Sequence, residues 1–411
     1  MKNWMIAANL FLLLIVGCSK SESIPGDHGA ISALENKSFF EEVGAVKPYR
    51  TNNPDTAKMN ECIYADTNEK SCTVSSLPLI GLSKNQITVD DILDRTFISQ
   101  DFLGETFKQV LLRLNPEILQ MFGAVSAVVI SDKVNPSFYY SVTGTIYLSG
   151  RYFWRNAEEL KLLNQVKDFR AEMGLPLQFA FNHDYIINGK SITSRADRNT
   201  QTYDEMAIVT ARLLFHELTH ANDYFPRRFY KSSNIDISKT YQKIAHDRFV
   251  TLQLASDQEV SKVSSAKLSH IGQILFQGAK ASAEDSSILA DDIISEFKND
   301  VASDSYAYSN SKEDYAMLAE EALMLHYYNI SRYTFIIKYP EAYFTPPQDF
   351  SYPIVWGEKS RVLEPNIKPR AYLAVENDLG LDIGKKVRAK LDPLSPVDIP
   401  ANTNWDDLYK L

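Results

Sequence analysis

The sequence predicts an α+β fold in which helices are in the majority. Three observations support this prediction: several stretches have apolar residues at helical spacing, a few short segments are rich in β-branched residues, and no repeat of solenoid period is visible. The chain has 411 residues and a hydrophobic content of 45%, so it can bury a substantial core. From about residue 57 to residue 411 we expect one folded region. Two subdomains, about 57–225 and 226–411, are an alternative that the pattern leaves open.

Residues 1–17 have the pattern of a lipoprotein signal peptide. A lysine at position 2 precedes an apolar run that is too short to span a bilayer as a helix. The run leads into the letters LIVGC, which look like a bacterial lipobox. This resemblance implies that Cys18 becomes the first residue of the mature protein and receives the lipid. An ordinary secretory signal that is cleaved nearby is the alternative.

Residues 18–56 are expected to form the lipidated N-terminus and a flexible tether, because they are rich in Ser, Gly, Asn and Lys and show little periodicity. Ser19 after the cysteine resembles the sorting pattern of outer-membrane lipoproteins. We therefore expect a protein of the bacterial cell envelope that is lipid-anchored in the outer membrane, since two or three acyl chains anchor a protein stably. The net charge of −9 argues against nucleic acid as a partner.

The three cysteines of the chain fit the same compartment. With Cys18 modified by lipid, Cys62 and Cys72 remain as a pair that flanks a polar segment. An oxidising envelope permits a disulfide between them, and we expect that bond; two free thiols are the alternative. Zinc ligation by this pair is not expected, because no residue nearby supplies the remaining ligands.

Helices and strands are predicted along the whole chain after the tether. Helical periodicity covers residues 101–122 and is broken or restarted by Pro116. The next elements are expected to be a strand at 127–131, a hairpin or bulged strand at 138–148, a helix at 156–174 and a strand at 175–187. Further helices are expected between about residues 238 and 298 and near 367–377.

A predicted helix that begins near Thr202 and stops by Pro226 carries the pentapeptide HELTH. Its residues His216 and His220 are four apart, so they lie on one helix face and can bind one zinc ion. Glu217 would then lie beside the metal as the general base for the water that zinc activates. The chain has only 7 histidines, and chance placement yields on the order of 0.01 such patterns per chain. A structural histidine pair on a half-buried helix is the alternative.

Catalytic zinc sites usually have three protein ligands, so the two histidines need a third partner. The metzincin pattern would place a histidine six residues after His220, and Phe225 and Pro226 stand near that position instead. Asp223 lies one turn beyond His220. It is a candidate contact for a zinc-bound histidine, and a polar residue at a helix end is the alternative.

Residues 309–321 resemble the second helix of the gluzincin clan of metallopeptidases. The third ligand of that clan is a glutamate near the start of this helix, often within an Asn-Glu or Glu-Asp pair. Glu313 matches that placement, with Ser311 as the expected cap and Asp314 completing a capping box. The alternative is that Glu313 and Asp314 are first-turn acids favoured by the helix dipole.

Glu320 and Glu321 lie on nearly the same helix face as Glu313 and are the alternative ligands. The chain departs from the clan at one position: many gluzincins have an acid four residues after the ligand, directed at a zinc-bound histidine, and this chain has Met317. Such a contact must therefore come from elsewhere in the chain. Residues 140–148 look like the strand that runs beside the active site and pairs with extended substrate; an ordinary edge strand is the alternative.

The resemblance implies a zincin-like fold, with a small sheet beside the HELTH helix, and a metallopeptidase with one catalytic Zn²⁺ that hydrolyses peptides or proteins. Zinc lowers the pKa of its water and Glu217 takes the proton. Tyr306 and Tyr308 are candidate donors to the developing oxyanion, and packing in the core is the alternative role of each.

Three other functions fit the same residues. A non-catalytic zinc-binding envelope lipoprotein would keep the metal without turnover, a non-peptidase zinc hydrolase would use the same helix, and a structural envelope protein would hold no zinc. Residues 344–411 show no pattern that indicates chemistry.

Overall fold

The computed structural model describes residues 41, 43–53, 55–67, 69–163, 177–192, 199–232, 235–258, 263–338, 352–404 and 407–408. The expected signal peptide, the lipidation site Cys18 and most of the expected tether lie outside the described residues, as does most of the helix expected at 156–174. Among the helices in the described ranges, none combines the length and the apolar composition needed to cross a membrane.

The α+β prediction is confirmed, with helices in the majority. The α-helices of the described residues are α1 (Thr56–Cys62), α2 (Val89–Leu93), α3 (Asp101–Leu111), α4 (Pro116–Met121), α5 (Ala157–Lys161), α6 (Tyr203–Tyr224), α7 (Arg227–Tyr230), α8 (Tyr241–Val250), α9 (Ala255–Gln258), α10 (Ala266–Phe276), α11 (Ala290–Asn299), α12 (Ser311–Leu323), α13 (Lys368–Leu379) and α14 (Leu381–Leu391). The strands are β1 (Lys47–Pro48), β2 (Thr96–Ile98), β3 (Val128–Ser131), β4 (Phe138–Tyr140), β5 (Thr145–Ser149), β6 (Phe179–Ile187), β7 (Lys190–Ser191), β8 (Ser331–Lys338), β9 (Pro353–Lys359), β10 (Val397–Asp398) and β11 (Thr403–Asn404).

The first sheet has the strand order β1-β2-β3-β5-β4. Its strands β2, β3 and β5 are parallel, and the two outer strands run antiparallel to their neighbours. Every residue of β3 and β5 is buried, as expected for parallel strands that are covered on both faces. The outer strand β4 contacts α6, so this sheet lies beside the HELTH helix.

The second sheet has the order β10-β9-β8-β6-β7, and β11 also pairs with β9. All of its strand pairs are antiparallel. In the longest pair, β6 with β8, Tyr185 stands opposite Arg332, and both side chains are buried. This pair therefore delivers a hydroxyl group and a guanidinium group to the interior.

Helix α6 belongs to the largest apolar cluster of the protein. Its start is fixed by a capping box, because the Thr202 side chain accepts from the backbone N–H of Glu205 while the Glu205 carboxylate accepts from the N–H of Thr202. Leu214 and Leu218 are fully buried, and burial of such a side chain contributes about 1.5–3 kcal/mol. The cluster takes residues from both sides of residue 225.

The helix break expected at Pro116 and the hairpin expected at 138–148 are confirmed. The 101–122 stretch forms α3 and α4, and Pro116 is the first residue of α4, where its missing N–H needs no partner. The 138–148 stretch forms the antiparallel pair β4–β5.

The predicted cap of α12 is wrong by one residue. Asn310 is the N-cap, and its side-chain oxygen accepts hydrogen bonds from the backbone N–H groups of Lys312 and Glu313. Asp314 completes no capping box with Ser311 because its carboxylate pairs with Arg370.

The expected disulfide between Cys62 and Cys72 is present. It joins the end of α1 to the segment in which Thr73 bridges to Thr240. Both cysteines are buried in a small apolar cluster that is separate from the one around α6.

Candidate metal centre

His216 and His220 lie one turn apart on α6 and present their Nε2 atoms to the same point. These two atoms are 3.3 Å apart. Both residues are 9% exposed, so protein surrounds most of each side chain. The four-residue spacing on a helix accounts for this arrangement, as the sequence predicted.

Helix α12 adds a carboxylate to the two rings. The Oε2 atom of Glu313 is 3.0 Å from Nε2 of His216 and 3.4 Å from Nε2 of His220. A tetrahedral zinc ion with bonds of about 2.0–2.1 Å keeps its ligand atoms about 3.3–3.4 Å apart. The three donor atoms form a triangle of nearly this size, so the group could hold one metal ion.

Glu313 reaches the histidines through the packing of α12 against α6. The residues are 97 positions apart in the chain. The hydrogen bond of 3.1 Å from the Glu313 N–H to the Asn310 side chain fixes where α12 begins. Glu313 therefore lies in the first helical turn, beside the two rings.

Glu217 follows His216 directly and is 6% exposed. Burial raises the pKa of Glu217 to about 7, although His216 and His220 act in the opposite direction. A carboxyl group that titrates near neutral pH can both accept and release a proton, which general acid–base catalysis requires.

Glu320, an alternative ligand in the sequence prediction, lies behind His216 instead. Its Oε2 atom is 3.1 Å from Nδ1 of His216, a close contact rather than a well-aligned hydrogen bond. Tyr185 donates its hydroxyl to Oε1 of Glu320 at 2.6 Å, and Nη1 of Arg212 is 3.3 Å from the same oxygen. A carboxylate at Nδ1 fixes the ring of a metal-ligating histidine. Glu320 thus supplies the contact that Met317 does not provide.

Glu321, the other alternative ligand, belongs to an ion network outside the donor triangle. Its Oε1 atom is 3.8 Å from Nη1 of Arg332, which also pairs with Asp304. Burial raises the pKa of Glu321 to about 8, with Arg332 opposing that rise. The structure therefore gives Glu321 an ion-pair partner rather than a place among the metal-ligand atoms.

Carboxyl groups outnumber guanidinium groups around the donor triangle. Two guanidinium groups, of Arg212 and Arg332, lie in this network. Five buried carboxyl groups lie in the same part of the protein, those of Glu217, Asp304, Glu313, Glu320 and Glu321. A divalent cation between the two Nε2 atoms and Oε2 would stabilise the ionised forms of the carboxyl groups nearest to it, those of Glu217 and Glu313.

The histidines and the carboxylates stabilise each other's charged forms. Burial lowers the pKa of His216, but Glu313 and Glu320 outweigh this effect and raise it to about 10. Burial raises the pKa of Glu313, but His220 and His216 lower it to well below its ordinary value. A metal ion would replace the proton on His216, because a histidine ligand must be neutral.

Of the two tyrosines predicted as oxyanion donors, only Tyr306 lies against the donor triangle. Its ring stacks on the ring of His216 with centroids 6.3 Å apart, and Phe276 packs edge-on against it. Tyr308 donates its hydroxyl to Asp300 at 3.0 Å. The geometry therefore does not support the predicted role of Tyr308.

Asp223 is buried, and its carboxylate caps the short helix α9. Its Oδ1 atom accepts from the backbone N–H groups of Ala255 at 2.7 Å and Ser256 at 3.2 Å, and Oδ2 accepts from the Ser256 hydroxyl. Burial raises the pKa of Asp223, and these hydrogen bonds oppose the rise. The predicted contact with a zinc-bound histidine is not supported, because both oxygens are used for capping.

The segment expected to pair with substrate is divided between two strands. Strand β5 lies inside the first sheet, between β3 and β4, so its backbone groups are already paired. Strand β4 is the outer strand, and any substrate pairing on this side would involve β4 rather than the whole of 140–148.

The residues that hold Glu320 were not identified from the sequence. Arg212 lies one turn before His216, so helical spacing was a usable signal for it. Tyr185 and Arg332 come from β6 and β8, and Nη1 of Arg332 is 3.9 Å from Oε1 of Glu320. No local pattern indicates that these two strands meet α12.

Comparison of the chain with known protein families, with curated proteins and with solved structures found no match. The donor set itself fits zinc, because two imidazole nitrogens and one carboxylate oxygen are a known ligand set of catalytic zinc. The chemistry of this site therefore carries the functional conclusion.

Proposed function

We propose that this protein is a zinc-dependent metallopeptidase with a zincin-like fold, similar to the gluzincin clan. The observation that carries the proposal is the triangle of donor atoms, with sides of 3.0, 3.3 and 3.4 Å, beside Glu217. Three protein ligands leave a fourth position for water or substrate, which distinguishes catalytic from structural zinc sites.

Each residue of the site has a separate task in this reaction. Zinc, when bound, would lower the pKa of a water molecule and polarise the carbonyl of the scissile peptide bond. Glu217 accepts the proton of that water and passes it to the leaving amine. Glu320 holds the ring of His216 in place through Nδ1. The ring of Tyr306 stacks on that of His216, and we assign its hydroxyl group as the hydrogen-bond donor to the developing oxyanion.

We further propose that the protein is anchored through lipid on Cys18 in the outer membrane of a bacterium. The lipobox-like sequence before Cys18 supports this, and the disulfide is compatible with an oxidising envelope compartment. The substrates would then be peptides or proteins that reach the envelope.

The test uses a soluble form that begins at Lys20. We expect it to bind one zinc ion per chain, measured by elemental analysis, and to cleave a panel of internally quenched peptides. Glu217→Gln should keep the zinc and lose at least about 100-fold in cleavage rate. Glu158→Gln is the control, since this glutamate is exposed on α5, where it pairs with Lys161.

Four results would contradict the proposal in different ways. Unchanged cleavage by Glu217→Gln would remove the general base, and absence of zinc would remove the metal site. Zinc without hydrolysis of any peptide would favour the non-catalytic lipoprotein. Hydrolysis of cell-wall fragments or lipids, but not of peptides, would favour a non-peptidase hydrolase.

A further inference from the structure

We propose that Asp378 of α13 is a positioning residue that sets the distance between the two helices carrying the metal ligands. This inference rests on the proposed metal site. Helix α13 lies in the C-terminal region, where the sequence indicated no chemistry, and it packs against both α6 and α12.

The carboxyl group of Asp378 joins the two ligand helices directly. Its Oδ2 atom accepts a hydrogen bond of 2.8 Å from the hydroxyl of Thr219, the residue before His220. Its Oδ1 atom accepts one of 3.0 Å from the hydroxyl of Tyr315, two residues after Glu313. One side chain therefore connects the backbone that carries His220 to the backbone that carries Glu313.

Burial makes this connection rigid. Asp378 is 6% exposed, Tyr315 is 1% exposed and Thr219 is fully buried, so water has little access to replace either hydrogen bond. Burial raises the pKa of Asp378 well above its ordinary value, with Thr219 and Tyr315 opposing the rise. The hydroxyl groups of Thr219 and Tyr315 can each donate or accept a hydrogen bond, so an amide in place of the carboxyl group can bond both.

A second contact from the same helix holds the residue next to Glu313. Arg370 pairs with Asp314, the residue after Glu313, and both side chains are buried. Arg370 also donates to the backbone carbonyl of Val301. Helix α13 thus fixes the two residues that follow Glu313, while Asn310 fixes the start of its helix.

The metal site needs this precision because its ligands come from separate helices. Metal–ligand distances in a functional site stay within about 0.2 Å of their ideal values. A small displacement of α12 along α6 would move Oε2 of Glu313 beyond bonding distance of the metal, although none of the three ligand residues had been substituted. Loss of the Asp378 hydrogen bonds should therefore weaken zinc binding without removing a ligand.

The test measures zinc affinity by chelator competition and stability by urea unfolding of the same full soluble chain. We expect Asp378→Ala and Thr219→Val to weaken zinc binding roughly tenfold, at the lower end of the effects seen for residues that support metal ligands. The side chains introduced by Asp378→Asn and Thr219→Ser can both donate and accept hydrogen bonds. Both variants should therefore bind zinc with wild-type affinity. Tyr372→Phe is the control, because this α13 hydroxyl bonds Asp392 instead of the ligand helices.

The outcomes separate this inference from the proposed function. If the wild-type chain binds no zinc, the proposed function fails. If the wild-type chain binds zinc and Thr219→Val binds it equally well, the positioning role alone is overturned. If Asp378→Ala does not fold, the zinc affinity of Thr219→Val is the deciding measurement. Failure of Asp378→Asn to restore affinity, or an equal loss in Tyr372→Phe, would also overturn the positioning role.

Discussion

The two oxygen atoms of Glu320 have different surroundings, and these decide what the residue does. Oε1 is held by Tyr185 and Arg212, while Oε2 lies 3.1 Å from Nδ1 of His216. The carboxylate therefore contacts Nδ1 of the His216 ring and lies outside the donor triangle. Its position in the sequence, seven residues after Glu313, suggested a ligand because the two share a helix face.

Glu320→Gln should weaken zinc binding by roughly 10- to 100-fold, because the carboxylate that orients His216 and faces Arg212 is lost. Glu321→Gln is a matched control: the neighbouring residue is equally buried, contacts Arg332 and lies outside the donor triangle. Chelator competition measures both affinities. Equal losses in the two variants would show that Glu320 acts through general stability rather than through His216.

For single residues, the sequence could predict only which side chains share a face within one helix. The shared face of His216 and His220 follows from helical spacing. The roles of Asp223 and Tyr308 depend on partners from other elements, Ser256 and Asp300, so sequence reasoning placed both at the site while the structure does not.

Among the helices and strands, α1 is linked to the rest of the protein by the disulfide, which closes a short loop. The cysteines are 10 positions apart, and both are buried in the cluster beneath the first sheet. Tyr147 of β5 reaches the same cluster, and its hydroxyl donates to the carbonyl of Ile63. The disulfide therefore stabilises the first sheet rather than the donor triangle.

Replacing both Cys62 and Cys72 with alanine should lower the free energy of unfolding by about 2–3 kcal/mol, because a closed loop of this length restricts the unfolded chain. Urea unfolding measures the loss, and reduction of the wild-type protein should give a similar one. Zinc affinity should stay unchanged, since the cysteines lie in a separate apolar cluster. A parallel loss of zinc affinity would contradict this separation.

Element boundaries were predictable where a cap or a proline sets them. Thr202 with Glu205 starts α6, and Pro116 starts α4. The start of α12 differed because the side chain of Asn310, one residue before Ser311, accepts from the free N–H groups. Two neighbouring polar residues give the same local signal, so only the folded backbone decides between them.

In the whole molecule, the candidate metal ligands His216 and Glu313 are 97 positions apart in the chain. The intervening chain includes α7 to α11, and α13, which follows β9 in the chain, packs on both α6 and α12. Such a site forms only when the chain is folded, so metal binding and folding are thermodynamically coupled.

Zinc at about 100 times its Kd should therefore raise the free energy of unfolding by about 2.7 kcal/mol, and chelation should remove this increment. At one fixed zinc concentration the increment should shrink as pH falls below about 10, because zinc must displace the proton that Glu313 and Glu320 help His216 to hold, and the apparent Kd rises. Urea unfolding with and without zinc, repeated across pH, measures it. His220→Ala should keep the fold and lose the increment; an increment of wild-type size in that variant would contradict the assigned site.

From the sequence we could predict the α+β class, the HELTH helix with its shared histidine face, and the pairing of Cys62 and Cys72. These predictions rest on periodicity, capping and cysteine count, which are local or compositional properties. The folded structure was needed to select Glu313 as the partner of the two histidines, and to reveal that Glu320 contacts His216 and that Asp378 links α6 to α12. Those roles depend on distances between elements far apart in the chain, and packing sets such distances.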